Sequence, residues 1–174
     1  MENVKNAKAR IIKRLMTDSV SQRYLNEGTI KATDIPFVKY IGIKENEKRL
    51  SLAMKNNIYN HVATIHAAAQ FTLAETESGM HLQTLFPDLK QKVIPLLRDA
   101  QIKYKKPAAQ KIFAYSSAKA EDVEKFKMQF EKKGRALLQI SVEIRDINDT
   151  LTSEARFLWF VQARPKEKTL EAMT

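Results

Sequence analysis

Cysteine is absent from the 174 residues, and histidine nearly so, with three. The first absence excludes structural disulfides, thiolate nucleophiles and cysteine-zinc sites, and the second leaves little material for a histidine metal centre. Glycine and proline are sparse at four and five, and neither a low-complexity linker nor a solenoid-length repeat interrupts the chain. No run approaches the roughly 18 apolar residues that span a bilayer. The longest weakly polar stretch, Val62 to Ala74, is broken by Thr64, His66, Gln70 and Thr72. What is present, 44% hydrophobic and 29% charged residues, is the composition of a soluble globular chain of one ordinary domain.

The formal charge of +10 has two sources. Residues 4 to 16 carry Lys5, Lys8, Arg10, Lys13 and Arg14 around Val4, Ile11, Ile12, Leu15 and Met16, which reads as an amphipathic basic helix, docked on the domain or used at a membrane surface or partner helix. No apolar stretch with a cleavage site follows it, so a cytoplasmic location is expected. The second source is residues 90 to 111, where Lys90, Lys92, Arg98, Lys103, Lys105, Lys106 and Lys111 face a single acid, Asp99. Zinc-finger spacings, arginine-rich tracts and basic heptads are missing, so a small phosphorylated ligand accounts for this segment better than nucleic acid does.

Periodicity organises the remainder. Phe37, Ile41 and Ile43 share one parity after Pro36 and predict a strand over 37 to 44, followed by a turn at Glu45 to Lys48. Leu50, Leu52 and Met54 alternate with polar residues as a second strand. The period then becomes helical from Thr64 to Gly79, with Ala67, Phe71, Ala74 and Ser78 on one line and Gly79 as the expected stop; His81 then falls in a loop, as does His61. Further strands are predicted at 100 to 105, 112 to 117, 138 to 145 and 151 to 163, the last two joined by a turn over Asp146 to Thr150. Val123, Phe126 and Phe130 mark a short inserted helix over 121 to 132, ended by Gly134. The expected class is α+β, with an antiparallel sheet curved around an alanine-rich helix. The expected organisation is a basic helix and connector over 1 to 34, the domain over 35 to 164, and a tail over 165 to 174.

The segment His66-Ala67-Ala68-Ala69-Gln70-Phe71-Thr72-Leu73-Ala74-Glu75-Thr76 resembles the helix motif of the hotdog-fold thioesterases, His-Gly-Gly followed by an apolar stretch ending Leu-Ala-Asp/Glu-Thr. Ile102 to Ala108 is similar to the family's strand ending in a Pro-Ala pair, and Gly134-Arg135 precedes a strand and polar turn of the same type. The likeness covers about residues 36 to 163. It is nearest to the phenylacetyl-CoA and hydroxybenzoyl-CoA thioesterase type and to a branch of hotdog proteins without an assigned activity. It implies a six-stranded antiparallel sheet wrapped around a central helix, here with an extra N-terminal helix and the inserted helix. It further implies a homodimer, or a tetramer built as a dimer of dimers, with active sites at the dimer interface and an acyl-CoA or acyl-carrier thioester as substrate. Coenzyme A enters as part of that substrate, and no separate cofactor or metal is implied.

Carried onto this chain, the resemblance makes Glu75 the catalytic carboxylate, the Ala67 backbone N–H the oxyanion donor, and His66 a substrate-orienting group. Asn60 and Ala68 would contact substrate, with Asn57 a second candidate helper, and Lys103, Lys105 and Lys106 would meet the coenzyme A phosphates by charge. The physical case is independent: unpaired N–H groups and the dipole at a helix start are suited to a developing oxyanion. Glu75 lies eight residues beyond Ala67, roughly 12 Å along one helix, so the two act on one carbonyl only across a dimer. Three features depart from the pattern, the first being that the family's polar helper from the N-terminal segment has no matching position, with Asn57 and Asn60 as candidates. Alanines stand at 67 and 68 where the family has glycines, and Glu77, about 200° around the helix from Glu75, is a rival acid. The alanines, together with the likeness to a branch without an assigned activity, favour an alternative, a non-catalytic hotdog module that binds acyl-CoA or acyl chains. The spaced histidine and acid pair of a hotdog dehydratase is not found.

Overall fold

In the computed structural model, residues 31 to 46 and 49 to 164 are described. The expected basic helix over 4 to 16 and the tail lie outside them. Six strands form one antiparallel sheet: β1 (Lys44–Asn46), β2 (Arg49–Leu52), β3 (Val93–Tyr104), β4 (Ile112–Ser117), β5 (Arg135–Asp146) and β6 (Leu151–Ala163). Their spatial order is β1-β2-β4-β5-β6-β3. Among the described residues three α-helices accompany the sheet, α1 (Pro36–Ile41), α2 (Ala67–Leu85) and α3 (Ala120–Lys133).

The best-patterned part of the sequence makes the centre of the sheet. On β5, Ala136, Leu138, Ile140, Val142 and Ile144 are buried, and across the ladder so are Ala155, Phe157, Trp159 and Val161 of β6. These side chains form the face that receives α2. Leu73 and Ala74 are fully buried on the helix, and Phe71 meets Phe157 edge-on with ring centroids 5.6 Å apart. The buried polar groups of α2 are bonded locally, Thr72 to the Ala68 carbonyl and Thr76 to the Thr72 carbonyl. Among the described residues no buried side-chain nitrogen or oxygen lacks a partner, which is how a helix this polar survives burial.

Three expectations change. The strand expected over 37 to 44 is a helix over Pro36–Ile41, followed by the short strand β1, so Glu45 and Asn46 belong to a strand instead of a turn. The reason is local: Pro36 presets the first helical position, and Gly42 ends the helix at φ 87° with its N–H on the Val38 carbonyl. Val38 and Ile41, three apart, then share the buried side while Phe37 and Tyr40 are exposed. The second change is at Gly79, which does not stop α2. The helix continues to Leu85 and carries His81 with it, half-buried. Trp159 packs beside Gly79, and a Cβ added there would meet its ring at 3.4 Å, an ordinary contact. Thirdly, β3 begins at Val93, well before the expected residue 100. Its register shifts between Leu97 and Asp99, and the bulge hides the strand's period in the sequence.

The inserted helix α3 agrees with its periodicity. Phe126 stacks on Phe86 at 4.4 Å and on Phe130 at 5.8 Å, and Gly134 closes the helix at φ 62°.

Candidate active site

The segment leading into α2 is pinned on both sides. Ile65 donates its N–H to the Ala108 carbonyl at 2.9 Å and His66 to the Ile58 carbonyl at 2.8 Å, while the buried Gln70 amide bonds back to the Ile65 carbonyl at 3.1 Å. Chain direction at the helix start is therefore set by the core. His66 is the N-cap. Its Nδ1 accepts the Ala68 N–H at 3.0 Å, and a neutral imidazole accepting at Nδ1 carries its proton on Nε2. The ring thus presents an Nε2–H donor outward. The Ala69 and Gln70 N–H groups both reach the His66 carbonyl, at 3.0 and 3.1 Å. Ala67 N–H has no acceptor among the described residues, and His66, Ala67 and Ala68 are all exposed. Among the described residues, the start of this 19-residue helix thus has one backbone donor without an acceptor, backed by the positive end of the helix dipole.

The two acids differ in surroundings. Glu75 is half-buried, its carboxylate has no hydrogen-bond partner among the described residues, and burial pushes its pKa above the ordinary value. Glu77, 8% exposed, points the other way, toward β2 and β4. It accepts the Ser116 hydroxyl at 2.8 Å and the Leu50 N–H at 3.4 Å. Burial raises its pKa too, with the Ser116 and Leu50 bonds and the Arg49 charge opposing. It lines an open cleft of about 440 Å³ with Glu45, Arg49, His81 and Tyr115. In that cleft Arg49 sits 4.5 Å from the Tyr115 ring centroid. Burial lowers the His81 pKa.

The structure brings His66, Ala67 and Ala68 together and leaves the other expected contacts elsewhere. The Asn60 side chain is engaged within its own loop: Oδ1 accepts the Val62 and Thr64 N–H groups at 3.1 and 3.0 Å, and Nδ2 donates to the Thr64 hydroxyl at 2.8 Å. Asn57 donates to the Tyr40 carbonyl at 3.4 Å. Lys103 pairs in register with Glu154 and borders a cleft with Gln101, Glu143 and Arg156, on the sheet face turned away from α2. Lys105 forms an ion pair with Glu154 at 2.8 Å. Lys106 is exposed in the loop after β3, its N–H on the Thr152 carbonyl. The sheet therefore stands between Lys103 and the helix start of its own chain.

Two contacts at the helix were not anticipated from sequence. The Trp159 indole donates to the Ser78 hydroxyl at 3.0 Å, tying β6 to α2. The Tyr104 hydroxyl donates to the Ala67 carbonyl at 3.0 Å, tying the end of β3 to the first turn of α2. Alternation alone put Tyr104 on the inner face with Ala100 and Ile102; which inward group it would meet is set by how α2 crosses the sheet.

Residues 33–161 match the family described as Domain of unknown function (DUF4442). Comparison with curated proteins finds no match. Among solved structures, a Pseudomonas aeruginosa protein of unknown function, described as a probable thioesterase, is 21% identical, with a TM-score of 0.66 over 76% of this chain and 91% of that chain. A thioesterase from Haemophilus influenzae is 14% identical at a TM-score of 0.60, covering 81% of this chain and 96% of that one. A Bacillus halodurans protein crystallised with CoA is 14% identical at 0.55, covering 88% and 99%. At these identities the likeness is one of fold, and the fold is the hotdog: an antiparallel six-stranded sheet with a long helix packed on its inner face.

Proposed function

Because the chain belongs to the DUF4442 family and shares the hotdog fold of thioesterases, we propose that it hydrolyses an acyl thioester of the coenzyme A type, working as a homodimer. The observation that carries the reading is the Ala67 N–H at the exposed start of α2, in a helix that also holds the half-buried carboxyl of Glu75, neither with a hydrogen-bond partner among the described residues. About 12 Å separates them along one helix. Strand β3, twelve residues long at the edge of the sheet, offers a route to joining two copies. A twofold axis across it would set the two α2 helices antiparallel, with the start of one directed toward Glu75 of the other.

In the proposed reaction the thioester carbonyl lies against Ala67 N–H, with His66 Nε2–H orienting the substrate. The partner's Glu75 takes a proton from water as the water oxygen bonds to the carbonyl carbon. The tetrahedral oxyanion is stabilised by the N–H and the helix dipole. As it collapses the C–S bond breaks, and the proton held by Glu75 passes to the departing thiolate. A raised pKa suits Glu75 to this work, because a base poised nearer the operating pH transfers protons with a better balance of driving force and population.

The test is free-thiol release from short, long and aromatic acyl-CoAs by wild type and Glu75→Gln. Turnover lost in the variant supports the mechanism; a variant as fast as wild type refutes Glu75 as the base. One observation favours a second reading. The methyl groups of Ala67 and Ala68 stand where the thioester would approach, as suits a protein that holds an acyl-CoA without cleaving it. That reading predicts a thermal shift on adding an acyl-CoA and no thiol release from any member of the panel.

A further inference from the structure

We propose that the groove between α2 and the inner face of β3 is the subsite for a medium-length acyl chain, closed at its far end by Phe126 of the inserted helix; the proposal rests on the reading of an acyl-CoA ligand above. Phe71, Glu75, Leu82 and Phe86 follow one another on α2 at intervals of four, seven and four, which places all of them within about 40° of the Glu75 direction. Both ends of that stripe are fixed against the sheet. Phe71 meets Phe157 of β6 with ring centroids 5.6 Å apart, and Leu82 and Phe86 line a cavity with Val161 of β6 and Val93 of β3. Glu75 lies between them on the same line and faces the same part of the sheet.

The sheet there is not closed over by its own chain. Leu97, Ala100 and Ile102 of β3 pair with the buried Trp159, Phe157 and Ala155 of β6, which puts them on the inner face. Each nevertheless stays half-buried, and Pro95, which pairs with Val161, is exposed. An apolar strip therefore runs beside α2 from Ile102 toward Val93, open along one side.

Its far end is walled. The Phe86 N–H bonds the Leu82 carbonyl at 3.3 Å and the Leu89 N–H bonds the Phe86 carbonyl at 3.1 Å, so the chain turns back on itself between α2 and β3. Phe86 stacks on Phe126 of α3, and Phe126 in turn on Phe130. The cavity left against this wall measures about 30 Å³, and of its nine lining residues only Gln83 and Lys90 are polar. A space of that size and polarity suits the end of an alkyl chain better than water, which needs two to four polar partners.

Leu82 lies about 10.5 Å and Phe86 about 16.5 Å beyond Glu75 along the helix. An extended alkyl chain advances about 1.25 Å per carbon, from bonds of about 1.52 Å at near-tetrahedral angles. A thioester carbonyl held at Glu75 thus delivers roughly its eighth to thirteenth carbon to the cavity, which shorter and aromatic acyl groups do not reach. In the proposed dimer the copy that lends its Glu75 also lends this groove, because both belong to one α2.

The experiment measures thiol release by full-length wild type, Val93→Phe and Leu89→Ala on straight-chain acyl-CoAs from acetyl to stearoyl. Wild-type kcat/KM should rise about fourfold per methylene, the factor that burying one methylene supplies, and stop rising at a length within that range. Val93→Phe fills the cavity from an edge strand, where an aromatic residue is accommodated, and should move the optimum shorter by about two carbons or more. Leu89→Ala enlarges the cavity and should move the optimum longer. Both positions are half-buried, so both variants should fold, and thermal melts check this. An optimum that neither variant moves, or a wild type fastest on acetyl or aromatic groups, overturns the proposal. So does a Val93→Phe chain whose only change is loss of its dimer in size-exclusion chromatography, which would make the groove an interface between copies. If wild type cleaves no thioester, the thioesterase reading fails and binding tests the subsite. A thermal shift that grows with chain length, with an optimum that the two variants move in opposite directions, then upholds it; a shift indifferent to chain length, or none, overturns it.

Discussion

Glu75 and Glu77 are two positions apart on one helix, yet replacing them should have opposite effects on stability. Glu77→Ala removes the acceptor of the Ser116 hydroxyl at 2.8 Å and of the Leu50 N–H at 3.4 Å. Leu50 is fully buried, so its N–H loses that acceptor out of reach of solvent. A hydrogen bond to a charged group contributes about 1.5–3 kcal/mol, and part of the loss is offset because a buried carboxylate no longer needs desolvating, leaving a net cost of about 2–3 kcal/mol. For a chain of this size that lowers the thermal midpoint by roughly 5–10 °C. Glu75→Ala forfeits no bond among the described residues and removes a half-buried charge, so it should leave stability unchanged or slightly higher. Glu77→Gln, which keeps an acceptor oxygen, should fall between them. The pH dependence has a definite sign. Both carboxyls are raised in the fold, so the folded chain binds protons more tightly than the unfolded one. Their contribution to stability is present below pH 4.5 and is lost as pH rises from there through the folded-state values. Thermal and urea melts followed by circular dichroism at pH 4 and pH 7, on wild type and the three variants, measure all of this. Equal destabilisation by Glu75→Ala and Glu77→Ala would refute the reasoning, since it would mean the two acids share one kind of environment.

Gly79→Ala should stabilise the chain by up to about 1 kcal/mol, because alanine is the better helix former and its Cβ would meet Trp159 at 3.4 Å, an ordinary contact. A melting midpoint below wild type would show that the α2–β6 contact has no room for a methyl group. If Glu75 is the base, kcat/KM should rise with pH through a value above the ordinary glutamate range and then level off. A profile flat across the acid range would remove the base role.

The central strands and α3 were legible because each has one wet and one dry face, so the period of the apolar residues is the period of the backbone. Over β5 the buried residues alternate with more exposed ones from Leu138 to Ile144, and apolar residues alternate with polar ones in step. The region of Phe37 to Ile43 was misread because three apolar residues of one parity outweighed stronger local evidence: proline at a helix start and glycine after its end. The length of α2 was misread because Gly79 looks like punctuation until Trp159, 80 residues later, is seen against it.

The sequence by itself determined the α+β class, the inserted helix and the motif that places His66, Ala67 and Glu75 on one contiguous helix. All of these rest on neighbours in the chain, where spacing and geometry are the same thing. Only the tertiary structure decided which acid is engaged. A rotation of 200° on a helix separates Glu75 from Glu77, but the position of Ser116 and the Leu50 N–H ties Glu77 into the fold, while Glu75 has no hydrogen-bond partner among the described residues. The same holds for Lys103, set beyond the sheet, and for Tyr104, brought to Ala67 across 37 residues. Contacts of that range depend on how the helix crosses the sheet, and the crossing is fixed by the packing of the whole core.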